Sequence, residues 1–201
     1  TQKQKMLTWQ MWIKVVIASA PAALIGLPFN DLLDQIFYKP LPVAVMLIVY
    51  GVLFIIVENR NVGQRPAVRK ISELTIPMVL LIGVFQMLAL IPGTSRSGAT
   101  IVGALLIGVS REIAAEFTFF LAIPVMFGAS LLKLIKFGFH FTGEEFGLLM
   151  LGCVVSFGVS VAAIRFLMGY IKKNDFKIFG YYRIVLGGII VVSAAVQTFL
   201  A

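Results

Sequence analysis

One short stretch of this sequence groups side chains that could bind an anion. Between residues 74 and 110 the chain carries a single charged side chain, that of Arg96. This arginine offers a planar, permanently charged fork that matches two phosphate oxygens at once. Around it stand the hydroxyl and glycine residues Gly93, Thr94, Ser95, Ser97, Gly98 and Thr100. We therefore start from a predicted anion site.

The residues on either side of Arg96 strengthen this interpretation. Pro92 predicts the end of one helix, and a second helix is expected to begin near Ser97. The first turn of that helix would present free N–H groups and the positive end of the helix dipole. A buried guanidinium without an anion is costly, so an anionic substrate group is the natural partner. The sequence GxxxxGK[ST] does not occur, and no nucleotide is implied.

Composition predicts that the elements carrying this stretch lie in a bilayer. Of the 201 residues, 60% are hydrophobic and only 13% are charged, which is far more apolar than a water-soluble domain. Six apolar stretches approach the length of a membrane-spanning helix. They run over residues 15–29, 41–57, 74–91, 113–135, 146–170 and 178–201. We predict an all-α polytopic membrane protein, with residues 1–201 forming one integral membrane domain.

The Arg96 stretch is predicted to form the tip of a hairpin. The apolar piece over residues 98–109 has about half the length that a span needs. Either both arms cross and the tip is a wet loop, or the chain re-enters and the tip lies in a cavity at membrane depth. Irregular backbone at that depth is tolerated only inside protein or beside water. The hydroxyls and the arginine favour the second geometry.

Basic residues predict the orientation of the chain. They are concentrated in residues 1–14, 58–73 and 165–177, which we place in the cytoplasm by the positive-inside rule. Arg183 is interpreted as a cytoplasmic residue that reaches the membrane surface beside aromatic side chains. The net charge of +8 then needs no nucleic acid partner, and membrane lipids are the expected surroundings.

Other polar residues have ordinary explanations beside functional ones. Gln86, in mid-span, either bonds a neighbouring helix or braces the tip. Glu116 is interpreted as a helix N-terminal charge near Arg111, and little marks His140 as a ligand or base. No His, Cys or carboxylate cluster has metal-ligand spacing, so no metal ligand is expected in this chain. The small residues Gly152, Ser156 and Ser160 could pack helices within one chain or between two, which leaves a homodimer open.

The run over residues 85–130, FQMLALIPGTSRSGATIVGALLIGVSREIAAEFTFFLAIPVMFGAS, resembles the undecaprenyl pyrophosphate phosphatase family of bacitracin resistance. The resemblance implies hydrolysis of undecaprenyl pyrophosphate to the monophosphate and phosphate in the bacterial cytoplasmic membrane, which recycles the lipid carrier for peptidoglycan. It also implies two inverted halves, each with a re-entrant helix-loop-helix, and a site open to the extracytoplasmic side. Ser95, Arg96 and Thr100 match the family's essential residues. Gln86, Gly93, Ser97 and Gly98 match the rest of its motif, and Thr94 joins them as a predicted pyrophosphate-binding residue.

The resemblance also implies parts that this sequence does not carry. The family's glutamate-rich motif, with its Pro, Ser and His segment, lies in an N-terminal region without a counterpart here. We expect the ligands of Mg²⁺ or Ca²⁺, and the acid or base, to belong to that region. Arg96 is then expected to clamp pyrophosphate, with Ser95 as nucleophile or hydrogen-bond donor and Phe117, Phe119 and Phe120 as a wall for the prenyl chain. The alternative function is a transporter or flippase of a lipid phosphate or another anion.

Overall fold

The computed structural model describes residues 2–138 and 142–200, and His140 lies outside them. The described residues form helices joined by short connections. The α-helices are α1 (Gln2–Phe37), α2 (Pro40–Asn61), α3 (Ile76–Met87), α4 (Arg96–Leu106), α5 (Arg111–Phe137), α6 (Gly143–Ile171) and α7 (Lys177–Leu200). Two short 3-10 helices cover Ile71–Glu73 and Leu88–Leu90. The predicted all-α architecture is confirmed.

Five of these helices are long and apolar enough to cross a membrane. They correspond to Lys5–Gly26 within α1, to α2, α5 and α6, and to Lys177–Gln197 within α7. The chain is therefore a multi-pass membrane protein. One predicted boundary is wrong, because α1 continues through Pro21 and Pro28 to Phe37 where the sequence indicated a connection from residue 30. Proline is tolerated inside membrane helices, whose neighbouring groups can satisfy the freed backbone.

The predicted hairpin is formed by α3 and α4. These helices have 12 and 11 residues, which gives lengths of about 18 and 16 Å at 1.5 Å per residue. Neither covers the roughly 30 Å of a hydrocarbon core. The base of the hairpin is closed by backbone bonds from Ser110 N–H to the Val68 carbonyl, 2.9 Å, and from Ala67 N–H to the Gly108 carbonyl, 2.9 Å. The chain therefore enters and leaves at the same end of the bundle.

The tip of the hairpin packs against the first turn of α2. Gly93 has a φ of +92°, and a Cβ there would lie 2.5 Å from the Val43 carbonyl oxygen. Only glycine combines this backbone angle with such a close approach. The next residue, Thr94, is fully buried. The tip is thus enclosed by protein at this point, as the second of the two predicted geometries requires.

Polar contacts join several elements at the opposite end, where the hairpin has its base. Arg111 at the start of α5 bonds the Glu58 carboxylate near the end of α2. The Lys14 ammonium of α1 donates to the carbonyls of Ile71 and Ser72 at 3.1 and 3.0 Å. We call this end of the bundle the basic end. Its contacts fix where the arms of the hairpin begin.

Helices α2 and α7 approach each other closely through glycine residues. A Cβ added to Gly51 would lie 2.7 Å from the Gly180 carbonyl oxygen, and one added to Gly180 would lie 2.7 Å from the Gly51 carbonyl oxygen. Gly187 lies on the same contact, where a Cβ would be 2.8 Å from the Ala44 carbonyl oxygen. Small residues allow membrane helices to pack at this distance. Arg183 lies on α7 between the two contacts.

Helix α6 packs only through its last turns. Its sole buried residue is Ile171, with Leu167 and Met168 partly buried against the core. Gly152, Ser156 and Ser160 are all exposed, so this small-residue face packs no helix within the described part of the chain. The described residues therefore show no packing within one chain at this face. The homodimer stays a prediction.

Alanine substitutions at two adjacent glycines of α7, Gly187 and Gly188, test the close packing against α2. We expect Gly187→Ala to lower the melting temperature, because overpacking of this kind costs about 1–3 kcal/mol and the nearest Ala44 atom is backbone. Gly188→Ala is the matched control, since a Cβ there meets nothing within 4 Å and alanine favours the helix by about 1 kcal/mol. Thermal unfolding in detergent measures both. Equal melting temperatures for the two variants would contradict the packing described.

Candidate anion-binding site

Ser95 begins the site with a strained backbone. It is the N-cap of α4 and has φ +64° and ψ 126°, a region that non-glycine residues occupy at a cost of about 1–3 kcal/mol. Its hydroxyl oxygen accepts a long hydrogen bond from Gly98 N–H at 3.4 Å and lies 3.3 Å from the Ser97 hydroxyl. The capping bond and the helix that follows hold this conformation. Such strain is typical of functional sites.

The N-terminus of α4 supplies positive potential at the hairpin tip. The first N–H groups of a helix have no acceptor within the helix, and the dipole adds partial positive charge there. In α4 this end is formed by Arg96, Ser97 and Gly98. The prediction that a helix begins beside Arg96 is confirmed, with Arg96 itself as the first helical residue. An anion placed here would meet both N–H donors and the dipole.

Arg183 lies at this helix terminus, and its predicted position at the cytoplasmic surface is wrong. Its guanidinium donates to the Thr94 carbonyl oxygen at 2.9 Å and lies 5.8 Å from the centre of the Phe54 ring. A Cβ added to Gly98 would be 3.3 Å from the same guanidinium. The close packing of α2 and α7 brings Arg183 to the tip. The sequence of α7 taken alone does not predict this position.

A cavity of about 160 Å³ opens beside the α4 terminus. Its lining combines hydroxyls, backbone and the Arg183 guanidinium with several aromatic rings. It includes Ser95, Ser97, Gly98, Thr118 and Arg183 together with Phe54, Phe119, Phe176 and Phe179. A lining with both polar and apolar groups suits a ligand that joins a charged group to a hydrocarbon.

Arg96 is half-buried and lies outside this cavity's lining. No hydrogen bond or ion pair links its side chain to the residues that the structure describes. A guanidinium without a counter-ion in an apolar bundle is costly. Arg96 therefore keeps its charge available for a ligand. Arg96 is the first residue of the same helix whose terminus Arg183 contacts.

Thr100 is fully buried and turned away from the cavity. Its hydroxyl donates to the backbone carbonyl of Arg96 at 3.0 Å, with Ser97 O at 3.2 Å, and accepts from the Thr118 hydroxyl at 3.0 Å. These bonds connect the first turn of α4 to α5. They hold the helix terminus in place, and the catalytic role of Thr100 stays a prediction.

Gln86 and Thr94 contribute buried polar atoms near the ends of the hairpin arms. Both side-chain atoms of the Gln86 amide, and the Thr94 hydroxyl, have no hydrogen-bond partner among the described residues. Leaving a polar group unpaired in the interior costs about 1–3 kcal/mol. The structure does not show a bond from Gln86 to a neighbouring helix, which was one of its two predicted roles. Bracing or binding at the tip stays a prediction for both residues.

The three predicted phenylalanines divide between the cavity and the core. Phe119 lines the cavity beside Thr118. Phe117 is fully buried in the hydrophobic core, and Phe120 packs edge-on against Trp12 with ring centres 6.2 Å apart. The aromatic lining is instead completed by Phe54 of α2, Phe176 of the α6–α7 connection and Phe179 of α7. Sequence analysis missed these residues because they come from separate parts of the chain.

The residues that the structure describes include no group of three or more His, Cys, Asp or Glu side chains that could hold a metal ion. The buried carboxylate of Glu58 is engaged by Arg111, which donates to both of its oxygens at 3.0 and 2.9 Å. Glu116 does not form this contact, although the sequence placed it near Arg111. The described donor set therefore does not fit a divalent cation.

Membrane-spanning helices around a short hairpin, with two arginines beside a strained helix terminus, define a polytopic membrane protein with a site suited to an anion. The chain matches the family described as Bacitracin resistance protein BacA over residues 1–189. It belongs to that family.

Relatives of high identity carry one name. The chain is 66% identical over 184 residues to an undecaprenyl-diphosphatase from Acetivibrio thermocellus, covering 92% of this chain and 68% of the relative. It is 58% identical to an undecaprenyl-diphosphatase from Desulfitobacterium hafniense, with coverage of 98% and 71%. The undecaprenyl-diphosphatase of Lactococcus lactis subsp. lactis is 57% identical, with coverage of 100% and 72%. The family resemblance of the signature stretch is thereby confirmed.

Two substitutions at one position test the strain at Ser95. Both Ser95→Gly and Ser95→Ala remove the capping hydroxyl, but only glycine relieves the positive φ. We expect Ser95→Gly to be more stable than Ser95→Ala by about 1 kcal/mol, after allowance for the greater entropy of glycine in the unfolded chain. Thermal unfolding in detergent measures the difference. A more stable alanine variant would argue against a strained tip.

Proposed function

We propose that this chain takes part in the hydrolysis of undecaprenyl pyrophosphate to the monophosphate and phosphate in a bacterial membrane. The family and the names of its relatives support this reaction. The observation that carries it is the Arg183 guanidinium at the N-terminus of α4, a helix whose first residue is Arg96. A pyrophosphate bears several negative charges, and this terminus concentrates positive charge inside an apolar protein.

The proposed mechanism depends on position and charge. Phosphoryl transfer needs the substrate aligned and its developing charge neutralised more than it needs covalent chemistry from the protein. Arg96 would clamp non-bridging oxygens through its fork, and Arg183 would neutralise charge from the cavity side. The Ser97 amide would hold a further oxygen, since the Gly98 N–H already donates to Ser95. Thr100 acts as a positioning residue, since its hydroxyl bonds the backbone of Arg96.

Ser95 is proposed to donate a hydrogen bond to the substrate. Its oxygen accepts from Gly98 N–H. In the proposed state Ser97 is the donor in the contact between the two hydroxyls, and the Ser95 proton is then directed to a ligand at the helix terminus. A serine nucleophile needs a base to remove that proton. The recorded partners of the Ser95 hydroxyl are Ser97 and Gly98, and neither is a base. The donor role therefore agrees best with the described contacts.

The cavity suits the junction between pyrophosphate and prenyl chain. We propose that the phosphates lie beside Ser95 and Arg183, with the first isoprene unit against Phe54, Phe119 and the neighbouring rings. Placing the basic end in the cytoplasm follows the positive-inside rule. The tip then lies toward the extracytoplasmic side, because it packs against the first turn of α2. This orientation, in the cytoplasmic membrane, belongs to the proposal.

A divalent cation, Mg²⁺ or Ca²⁺, is retained only as part of this proposal. The described residues do not provide its ligands, so no step is assigned to it here. Its ligands would come from the family's glutamate-rich motif rather than from the hairpin.

Phosphate release from a long-chain prenyl pyrophosphate tests the proposed reaction. In the protein at its natural length, we expect Arg96→Ala to abolish release, and Arg183→Ala to lower kcat/KM by about a hundredfold, because a charge-assisted hydrogen bond is worth about 1.5–3 kcal/mol. Arg165→Ala is the matched control, since Arg165 is exposed on α6. Tight, Arg96-dependent binding without any phosphate release would instead indicate the transporter.

The fork geometry of Arg96 is tested by a change that keeps its charge. We expect Arg96→Lys to retain substrate binding but to lose at least tenfold in kcat, because a single ammonium cannot replace a bidentate contact. Steady-state kinetics at fixed ionic strength separate kcat from KM. A kcat close to that of the unmodified protein would show that positive charge without the bidentate contact is sufficient for turnover.

A further inference from the structure

We propose that Glu58 is a positioning residue that fixes Arg183 at the N-terminus of α4. Glu58 belongs to neither the signature stretch nor the cavity lining, and its side chain is fully buried. The inference rests on the proposed function, since it concerns a cation of the same site. It is carried by an unbroken series of contacts from Glu58 to Arg183.

The first contacts join three elements at the carboxylate of Glu58. Arg111, at the start of α5, donates its Nε to both carboxylate oxygens at 3.0 and 2.9 Å. The backbone N–H of Phe176, just before α7, donates to Oε1 at 3.2 Å. Glu58 itself is near the end of α2. Its carboxylate therefore fixes the start of α7 relative to α2 and α5.

The next contacts lead through aromatic rings to the guanidinium. The Phe176 ring packs against Phe54 with ring centres 5.9 Å apart. Phe54 lies one turn before Glu58 on α2, so the two residues share a helix face. The Arg183 guanidinium lies over the Phe54 ring at 5.8 Å. Arg183 thus rests on a ring that packs against Phe176. Glu58 fixes both members of this pair of rings, because it bonds the backbone of Phe176 and lies on the same helix as Phe54.

The burial of this carboxylate supports a role in position rather than in stability alone. A buried ion pair often contributes little net stability, because desolvation offsets the attraction. A second pair in the same region, Lys172 with Glu112 at 3.3 Å, is largely exposed and includes no contact to the cavity. The Lys172 pair joins α5 to the α6–α7 connection, whereas the Glu58 pair joins α5 to α2. Only the Glu58 pair also bonds the backbone of a cavity residue.

A double-mutant cycle between Glu58 and Arg183 tests the inference. Glu58→Gln keeps an acceptor for Phe176 N–H but removes the charge that holds Arg111. In the protein at its natural length, we expect this variant to lose tenfold or more in kcat/KM for the prenyl pyrophosphate, and Glu112→Gln to lose less than twofold. In an Arg183→Ala background, Glu58→Gln should cost less than a further twofold, because the group that it positions is already absent.

Non-additivity is the readout that a purely structural role would not produce. Equal losses with and without Arg183, or a loss no greater than that of Glu112→Gln, would overturn the inference. If Glu58→Gln does not give a monodisperse folded protein, Arg111→Lys takes its place in the cycle and the same criteria apply. The lysine of this variant keeps the positive charge but lacks the planar guanidinium that contacts both carboxylate oxygens.

The same cycle is measured on binding of inorganic pyrophosphate, which requires no turnover. The expected result is again a weaker affinity in Glu58→Gln that disappears in the Arg183→Ala background. Non-additive binding without phosphate release from the unmodified protein would support the positioning role while contradicting the proposed hydrolysis. Additive losses of binding affinity, together with normal phosphate release, would contradict the positioning role while supporting the proposed hydrolysis.

Discussion

Positive charge held inside an apolar bundle is the constraint on which the rest of this structure depends. Arg183 meets the N-terminus of α4 at the tip of a hairpin, and Arg96 is the first residue of that helix. Arginine is expensive in a membrane unless it meets protein carbonyls, water or a counter-ion. The positive charge of Arg183 is partly compensated by the Thr94 carbonyl and the Phe54 ring. The remaining charge is what the proposed anion would neutralise.

The fold satisfies this constraint through close helix packing and fixed ends. Glycines allow α7 to approach α2 until backbone atoms nearly touch, and this approach delivers Arg183 to the tip. The base of the hairpin is closed by Val68, Gly108 and Ser110, so its arms cannot slide independently. At the tip, Gly93 and the strained Ser95 turn the chain sharply enough for α4 to point its terminus into the protein.

Local signals in the sequence predicted one half of the site, and distant contacts supplied the other. The helix terminus at Arg96 could be predicted because proline, glycine and hydroxyl residues act within a few positions of one another. Arg183 could not be placed in this way, since its position depends on a glycine contact with a different helix. A usable signal did exist, because Gly180 and Gly187 lie on the same face of α7 as Arg183 and mark the side that meets a neighbour.

The central claim is that one anion is shared by Arg96, Arg183 and the α4 terminus. The most direct measurement is an experimental structure of the protein at its natural length with inorganic pyrophosphate bound. The account predicts phosphate oxygens within hydrogen-bond distance of both guanidinium groups and of the Ser97 amide. Pyrophosphate bound away from the α4 terminus, with Arg183 still engaged only by Thr94 and Phe54, would contradict it.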